Sequence, residues 1–224
     1  MLILHDSAMR CYLYCMQMPS DGAVRIHVVD DDGSMLRSVE RLLRSHGYET
    51  AGYRSAAEFL DATQALASGC LILDYKLPGA SGLELQETLA SRGAQWQIVF
   101  LSGKVDIAKS VKAMKNGAID VLVKPTTNET LIAAVQRAVE RNRVAIAESR
   151  EKAEIEARVA SLTRREREVM MLVIAGKLNK QIADKLGTAE RTVKTQRALM
   201  LEKMGVRSVA QLVHLAEKIG IRPE

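Results

Sequence analysis

Between Arg25 and Val123 short apolar runs alternate with stretches in which apolar residues return every three or four positions. The runs are Arg25-Ile-His-Val-Val-Asp30, Tyr48 to Tyr53, Cys70-Leu-Ile-Leu-Asp74, Gln97-Ile-Val-Phe-Leu101 and Ile119-Asp-Val-Leu-Val123. Their length and their polar ends read as strands. Leu36, Val39, Leu42 and Leu43 share one helical face. Ser55…Glu58 and Ser81…Glu84 have the spacing of capping boxes that open two further helices, and Ile107, Val111 and Met114 mark a fourth. Strands separated by helices predict an α/β fold with a five-stranded parallel sheet, whose ligands gather beyond the carboxyl ends of the strands.

After Pro125 the pattern changes to one polar stretch without Gly or Pro, Asn128 to Ala160, spaced by Leu131, Val135, Ala138, Val139, Ile146, Ile155 and Val159. As a helix it would extend about 50 Å. That exceeds what the first domain can cover, so its later turns are expected to be an exposed spacer or a seam with a second copy. Thr163-Arg-Arg-Glu166 is another capping box, and the helix it opens is expected to stop at Gly176. Asn179 to Leu186, then Gly187-Thr188-Ala189, then Glu190 to Met204, and finally Ser208 to Ile219 form a helix-turn-helix pattern with supporting helices. Ala183 is small where the two helices would cross, Gly187 permits the turn, and Thr188 is placed to cap the second helix. Ile182, Leu186, Val193, Leu199 and Met204 read as core. Val209, Leu212, Val213 and Ala216 form a stripe on the last helix that either packs on the domain or meets a second copy. The chain therefore divides into an extension (1–23), an α/β domain (24–127), a linker helix (128–160) and an all-α tail (161–224).

Composition narrows the class. The 224 residues are 47% hydrophobic and 26% charged, an ordinary globular balance that excludes collagen, mucin and disorder. Cys11, Cys15 and Cys70 do not form a disulfide framework, which points to a reducing compartment, the cytoplasm. No segment approaches the roughly 20 apolar residues of a membrane helix, and the first residues lack a signal-peptide pattern. His5, the early cysteines and the methionines show no ligand spacing for a soft metal. From Ser161 onward there are 13 Lys plus Arg against 7 Asp plus Glu, a net +6, while the preceding 160 residues carry −1. A positive tail on a nearly neutral body fits a polyanionic partner bound through counterion release.

The strand endings carry the chemistry. The first ends in Asp30-Asp31-Asp32, the third in Asp74, the fourth in Leu101-Ser102-Gly103 and the fifth in Val123-Lys124-Pro125. A single strand-ending Asp is ordinarily a loop cap, whereas four endings converging on one rim crowd carboxylates that repel unless a cation lies among them. A hard, oxygen-ligated ion such as Mg²⁺ suits them. Asp74, at the tip of a buried strand, can attack a phosphoryl group while Lys124 and the ion neutralise the developing charge, and Ser102 can donate to a phosphoryl oxygen.

Residues 25–125 resemble the receiver domain of two-component response regulators, and 161–220 the LuxR-type DNA-binding domain, together a regulator of the FixJ, NodW and StyR type. The carrying motifs are Val28-Val-Asp-Asp-Asp32, Leu71 to Leu85 around Asp74-Tyr-Lys-Leu-Pro-Gly-Ala-Ser-Gly82, Gly117 to Pro125, and Leu162-Thr-Arg-Arg-Glu-Arg-Glu168. The resemblance implies a doubly wound, flavodoxin-like (CheY-like) sheet and a helix-turn-helix. It makes Asp74 the phosphoacceptor, with Asp30 and Asp31 around Mg²⁺ and Lys76 lending a backbone carbonyl. Ser102 is then the switch hydroxyl, Lys124 the phosphate-pairing lysine, and the Lys124-Pro125 bond cis. The implied donor is a sensor histidine kinase, and the outcome a homodimer on paired DNA half-sites rather than enzymatic turnover. One departure stands out: Val121 occupies the place where the family usually has Phe or Tyr, leaving Ser102 and the helix Asp106 to Asn116 to carry the change. In the tail, Lys194, Thr195 and Ala198 would face bases, and Lys180, Arg191, Thr192 and Arg197 would hold phosphates. An enzymatic alternative remains, since Asp30-Asp31-Asp32-Gly33-Ser34 also fits the signature of haloacid-dehalogenase-type phosphatases with Asp30 as nucleophile, although that leaves Asp74 and the basic tail unexplained.

Overall fold

Successive residues of a strand point to opposite faces, so runs apolar at every position need a helical layer on each side of the sheet. The computed structural model describes residues 24–64, 66, 68–103 and 106–222. The readings placed on residues 1–23, the metal-binding and extension readings among them, lie outside these. Five strands, β1 (Arg25–Val29), β2 (Glu49–Tyr53), β3 (Ser68–Asp74), β4 (Gln95–Ser102) and β5 (Asp120–Val123), pair in parallel in the order β2-β1-β3-β4-β5. The order reverses beside β1 and β3, which opens a crevice at their carboxyl ends.

The helices of this unit are α1 (Gly33–Ser45), α2 (Ala56–Ala62), α3 (Gly82–Ser91), α4 (Ile107–Lys115) and the first part of α5 (Asn128–Ala160). On one face Ile26, Val28, Cys70, Ile72, Val99 and Leu101 pack with Leu36, Val39 and Leu43 of α1 and with Leu131, Val135, Ala138 and Val139 of α5. On the other, Val29, Leu71, Leu73, Ile98 and Phe100 pack with Phe59 of α2 and Leu85 and Leu89 of α3. The strict alternation of neighbouring residues between two cores is the physical content of the doubly wound fold. Strands β3 and β4 each begin two residues before their apolar runs, because the ladder continues through the pairs Ser68 with Gln95 and Gly69 with Trp96.

One capping box is incomplete, and the fourth helix forms where its spacing placed it. Ser55 accepts from the Glu58 amide, but the Glu58 carboxylate takes the Arg54 amide, so the reciprocal half of that box falls one residue early. Both halves are present at Ser81 and Glu84. In α4 the apolar stripe faces outward: Ile107, Val111 and Met114 are 76, 46 and 47% exposed, and Ala113 supplies the buried contact.

A second unit begins at Glu148. It contains the last turns of α5, then α6 (Arg164–Ile174), α7 (Asn179–Leu186), α8 (Glu190–Met204) and α9 (Val209–Lys218). Ile155 and Val159 lie inside its core beside Val169, Met170, Ile182, Val193, Met200 and Leu212. At those positions α5 is therefore neither an exposed spacer nor a seam for a second copy. Thr163 and Glu166 form the full capping box, and the Glu166 carboxylate also accepts from Lys203 Nζ (2.7 Å), fastening the start of α6 to the end of α8. Gly187 turns the chain at φ +61°, a conformation that costs other residues about 1–2 kcal/mol. Thr188 does not cap α8: its amide returns to the Ala183 carbonyl, and Ala189 precedes the helix without a side-chain bond. Leu199, expected in the core, is 44% exposed, while Leu212 and Ala216 of the α9 stripe are buried in this unit.

Candidate functional site

The rim is assembled by the last residue of β3 and by the residues just past β1 and β5. Asp30 is almost wholly buried. Its amide donates to the Tyr53 carbonyl, its Oδ1 accepts from the Asp32 amide (3.0 Å), and its Oδ2 accepts from Lys124 Nζ (2.7 Å). Lys124 Nζ also donates to Asp74 Oδ2 (3.0 Å), and the Lys124 amide to the Ser102 carbonyl (2.7 Å). The Lys76 amide donates to Asp74 Oδ1 (3.4 Å), which places residue 76 beside the phosphoacceptor candidate. Ser102 is buried at the end of β4, and the Lys124-Pro125 bond is cis.

Asp32, the third acid of its run, has a different task. Its carboxylate accepts from the Ser34 and Met35 amides as the N-cap of α1, and those bonds hold its carboxyl below the ordinary range. Asp30, Asp31 and Asp74 remain as the acidic group, with one oxygen from each lying within 4.8 Å of the others. Burial raises the Asp30 carboxyl above its ordinary value, and the Lys124 bond only partly offsets this. At Lys124 burial pulls the ammonium down, but its bonds to Asp30 and Asp74 prevail and the net direction is up. Three carboxylates against one ammonium leave two negative charges on hard oxygen donors, a fit for a divalent oxygen-ligated cation.

Gly82 explains how β3 holds this geometry. A Cβ there would stand 2.4 Å from the Asp74 carbonyl oxygen, so only glycine lets the first turn of α3 close on the strand end. No spacing rule marks Tyr75, yet it is buried beside Asp74, and its hydroxyl donates to the Lys109 carbonyl of α4 (2.6 Å).

In the second unit Lys180, Arg191, Thr192, Lys194, Thr195 and Ala198 lie on α7 and α8, with Arg191, Thr192, Lys194 and Thr195 turned to solvent. Lys194 lies 3.3 Å from Glu190, and the Thr195 hydroxyl donates to the Arg191 carbonyl (3.2 Å). Arg197 is half-buried, and its Nη1 donates to Asn179 Oδ1 (3.0 Å), which joins α8 to the start of α7.

An acidic, lysine-bridged rim on a doubly wound sheet, carried with a helix-turn-helix unit, defines a phosphoacceptor domain joined to a DNA-binding one. Known proteins share both parts. Residues 26–136 match the response regulator receiver domain, and residues 160–216 match the bacterial regulatory proteins of the luxR family. Nodulation protein W of Bradyrhizobium diazoefficiens is 43% identical over 88% of this chain and 86% of its own. The transcriptional regulatory protein FixJ of Azorhizobium caulinodans is 39% identical over 88% and 94%. Among solved structures, the response regulator StyR is 41% identical over 88% of this chain and 99% of its own, with a TM-score of 0.78. The chain belongs to the two-component response regulators with a LuxR-type output domain, phosphorylation-dependent transcriptional regulators whose partners are a histidine kinase and DNA. This family supersedes the phosphatase alternative built on Asp30. Among the described residues no helix is long and apolar enough to cross a membrane.

Proposed function

We propose that Asp74 takes the phosphoryl group from a phosphohistidine of the kinase. A P–N bond breaks, a P–O bond forms to an Asp74 carboxylate oxygen, and the imidazole leaves with a proton from solvent. The observation that carries this reading is the Asp74 carboxylate, held at the tip of a buried strand by Lys124 and grouped with Asp30 and Asp31. Asp30, Asp31, Asp74 and the Lys76 carbonyl would hold Mg²⁺, which when bound supplies neutralising charge for the phosphoryl oxygens. Lys124 pairs with the transferred group, and the Ser102 hydroxyl donates to one of its oxygens.

The added charge of about −1.5 to −2, by analogy with other phosphorylated side chains, shifts the receiver towards a state that dimerises through α4, β5 and the start of α5. The outward Ile107, Val111 and Met114, with Val123 on β5, support that face. Two output units then occupy two half-sites together. Affinity rises through effective concentration, with Lys194, Thr195 and Ala198 facing bases and Lys180, Arg191 and Thr192 on phosphates. The Asn179 bond of Arg197 gives that residue a second task, positioning α8 against α7. The work is done in the cytoplasm, in keeping with the buried free thiol of Cys70.

The deciding experiment treats the protein and Asp74→Ala with phosphoramidate and Mg²⁺, then measures mass and oligomer size. Wild type should gain one hydroxylamine-labile phosphoryl group and double in size, and Asp74→Ala should do neither. Full modification without a change in size would defeat the dimer mechanism.

A further inference from the structure

Helix α4 is held at its two ends by side chains from different parts of the receiver. At its far end Gln86 of α3, itself buried, donates from Nε2 to the Ala113 carbonyl (3.2 Å) and to the Asn116 carbonyl (3.3 Å), while Lys112 pairs with Glu87 (2.8 Å). At its near end the contact is the Tyr75 hydroxyl on the Lys109 carbonyl (2.6 Å), between residues 34 apart in sequence.

Tyr75 is the better anchored partner. Its amide donates to the Leu101 carbonyl (3.1 Å), its carbonyl accepts from the Gly82 amide (3.1 Å), and its ring lies against Phe100 with centroids 4.8 Å apart. The first turn of α4 instead follows Ser102 in the chain. Tyr75, Ser102, Asp106 and Lys109 line one cleft of about 910 Å³. Ser102 and Asp106 are four positions apart, so a displacement of Ser102 towards a group on Asp74 would bear on the start of α4, whereas Tyr75 is bonded to Leu101 of the sheet and to Gly82. The Tyr75–Lys109 bond joins these two parts. Val121, half-buried on β5, has no polar side-chain atom that could form such a bond.

We propose that Tyr75 is a positioning residue that latches the near end of α4 in the unphosphorylated receiver, and that modification of the adjacent Asp74 opens this latch and lets α4 pivot on Gln86. The inference rests on the phosphoacceptor reading above. The outward Ile107 lies in the freed turn, so the latch sets how that apolar stripe is presented.

The test uses full-length wild type and Tyr75→Phe, which keeps the ring and removes only the hydroxyl. Without a phosphodonor, amide hydrogen exchange over Ala108–Lys112 should rise about fivefold in the variant, the scale of one lost hydrogen bond, with Ala113–Gly117 unchanged. Because a closed latch taxes every ligand of the open state, Tyr75→Phe should also bind beryllofluoride with Mg²⁺ about fivefold more tightly, which a loss of packing alone would not produce. Gln86→Met should loosen Ala113–Gly117 instead. Exchange over Ala108–Lys112 equal to wild type overturns the latch, as does a uniform rise that includes α1 and α3. The donor-free comparison does not involve Asp74 chemistry. A wild type that takes no phosphoryl group by mass would therefore defeat the phosphoacceptor reading alone, while the exchange rates over Ala108–Lys112 still decide whether the Tyr75 hydroxyl holds α4.

Discussion

Asp30 and His27 are both buried in the receiver, and in each the fold sets which protonation state is favoured. Burial favours the protonated form of Asp30, so its ionised form is held in the rim at a cost. Asp30→Asn should therefore stabilise the protein in EDTA and weaken the Mg²⁺-dependent rise in Tm. Urea and thermal unfolding with and without Mg²⁺ read both, and a less stable variant in EDTA would contradict the electrostatic account. His27 is packed against Tyr53, Phe59 and Trp96, with its Nδ1 2.9 Å from the Tyr53 hydroxyl. Burial first, then Arg25, lowers it from 6.5 to about 4. The unfolded chain takes up a proton below pH 6.5 that the folded chain refuses until about 4, so stability present above that window is lost as pH falls through it. The loss should amount to about 3 kcal/mol. His27→Phe should flatten this stretch of the stability–pH curve, measured by denaturant titration at several pH values.

At the scale of elements, β3 and α3 depend on one close approach. Gly82→Ala forces a methyl against the Asp74 carbonyl and Phe100, and should cost about 1–3 kcal/mol while slowing phosphorylation by a small donor, because the strand end carrying Asp74 must shift. Equilibrium unfolding and a phosphorylation time course check it, and unchanged values in both would mean that the strand end does not depend on Gly82. The elements themselves were legible in the sequence. Runs such as Cys70 to Asp74 and the boxes at Ser81 and Thr163 are local patterns, settled by residues within one turn or one strand. The orientation of α4 was not, because Ile107, Val111 and Met114 would mark a helix equally well with that stripe inward or outward. Thr188 failed as a cap because the position just before α8 falls one residue later, on Ala189, whose side chain has no oxygen to accept.

For the molecule as a whole, net charge already separated a positive output segment from a nearly neutral receiver. If two copies bind paired half-sites and Lys180 holds a phosphate, Lys180→Ala should reduce the slope of log K against log salt by about 2, one contact per protomer at roughly 0.9 each. Fluorescence anisotropy of the phosphorylated protein on a paired site measures this. A change of about 1 would mean one output unit on DNA, and no change would take Lys180 off the phosphates.

The sequence alone determined the alternation of strands and helices, the four strand endings that meet at the rim and the helix-turn-helix, since periodicity, caps and turn glycines act between near neighbours in the chain. Tertiary structure decided which two of three consecutive acids join Asp74, that Ile155 and Val159 enter the second core, that Arg197 reaches Asn179, and that Tyr75 finds Lys109. Each of those outcomes depends on a partner brought from elsewhere in the chain, and a side chain's burial and bonding are fixed only when that partner arrives.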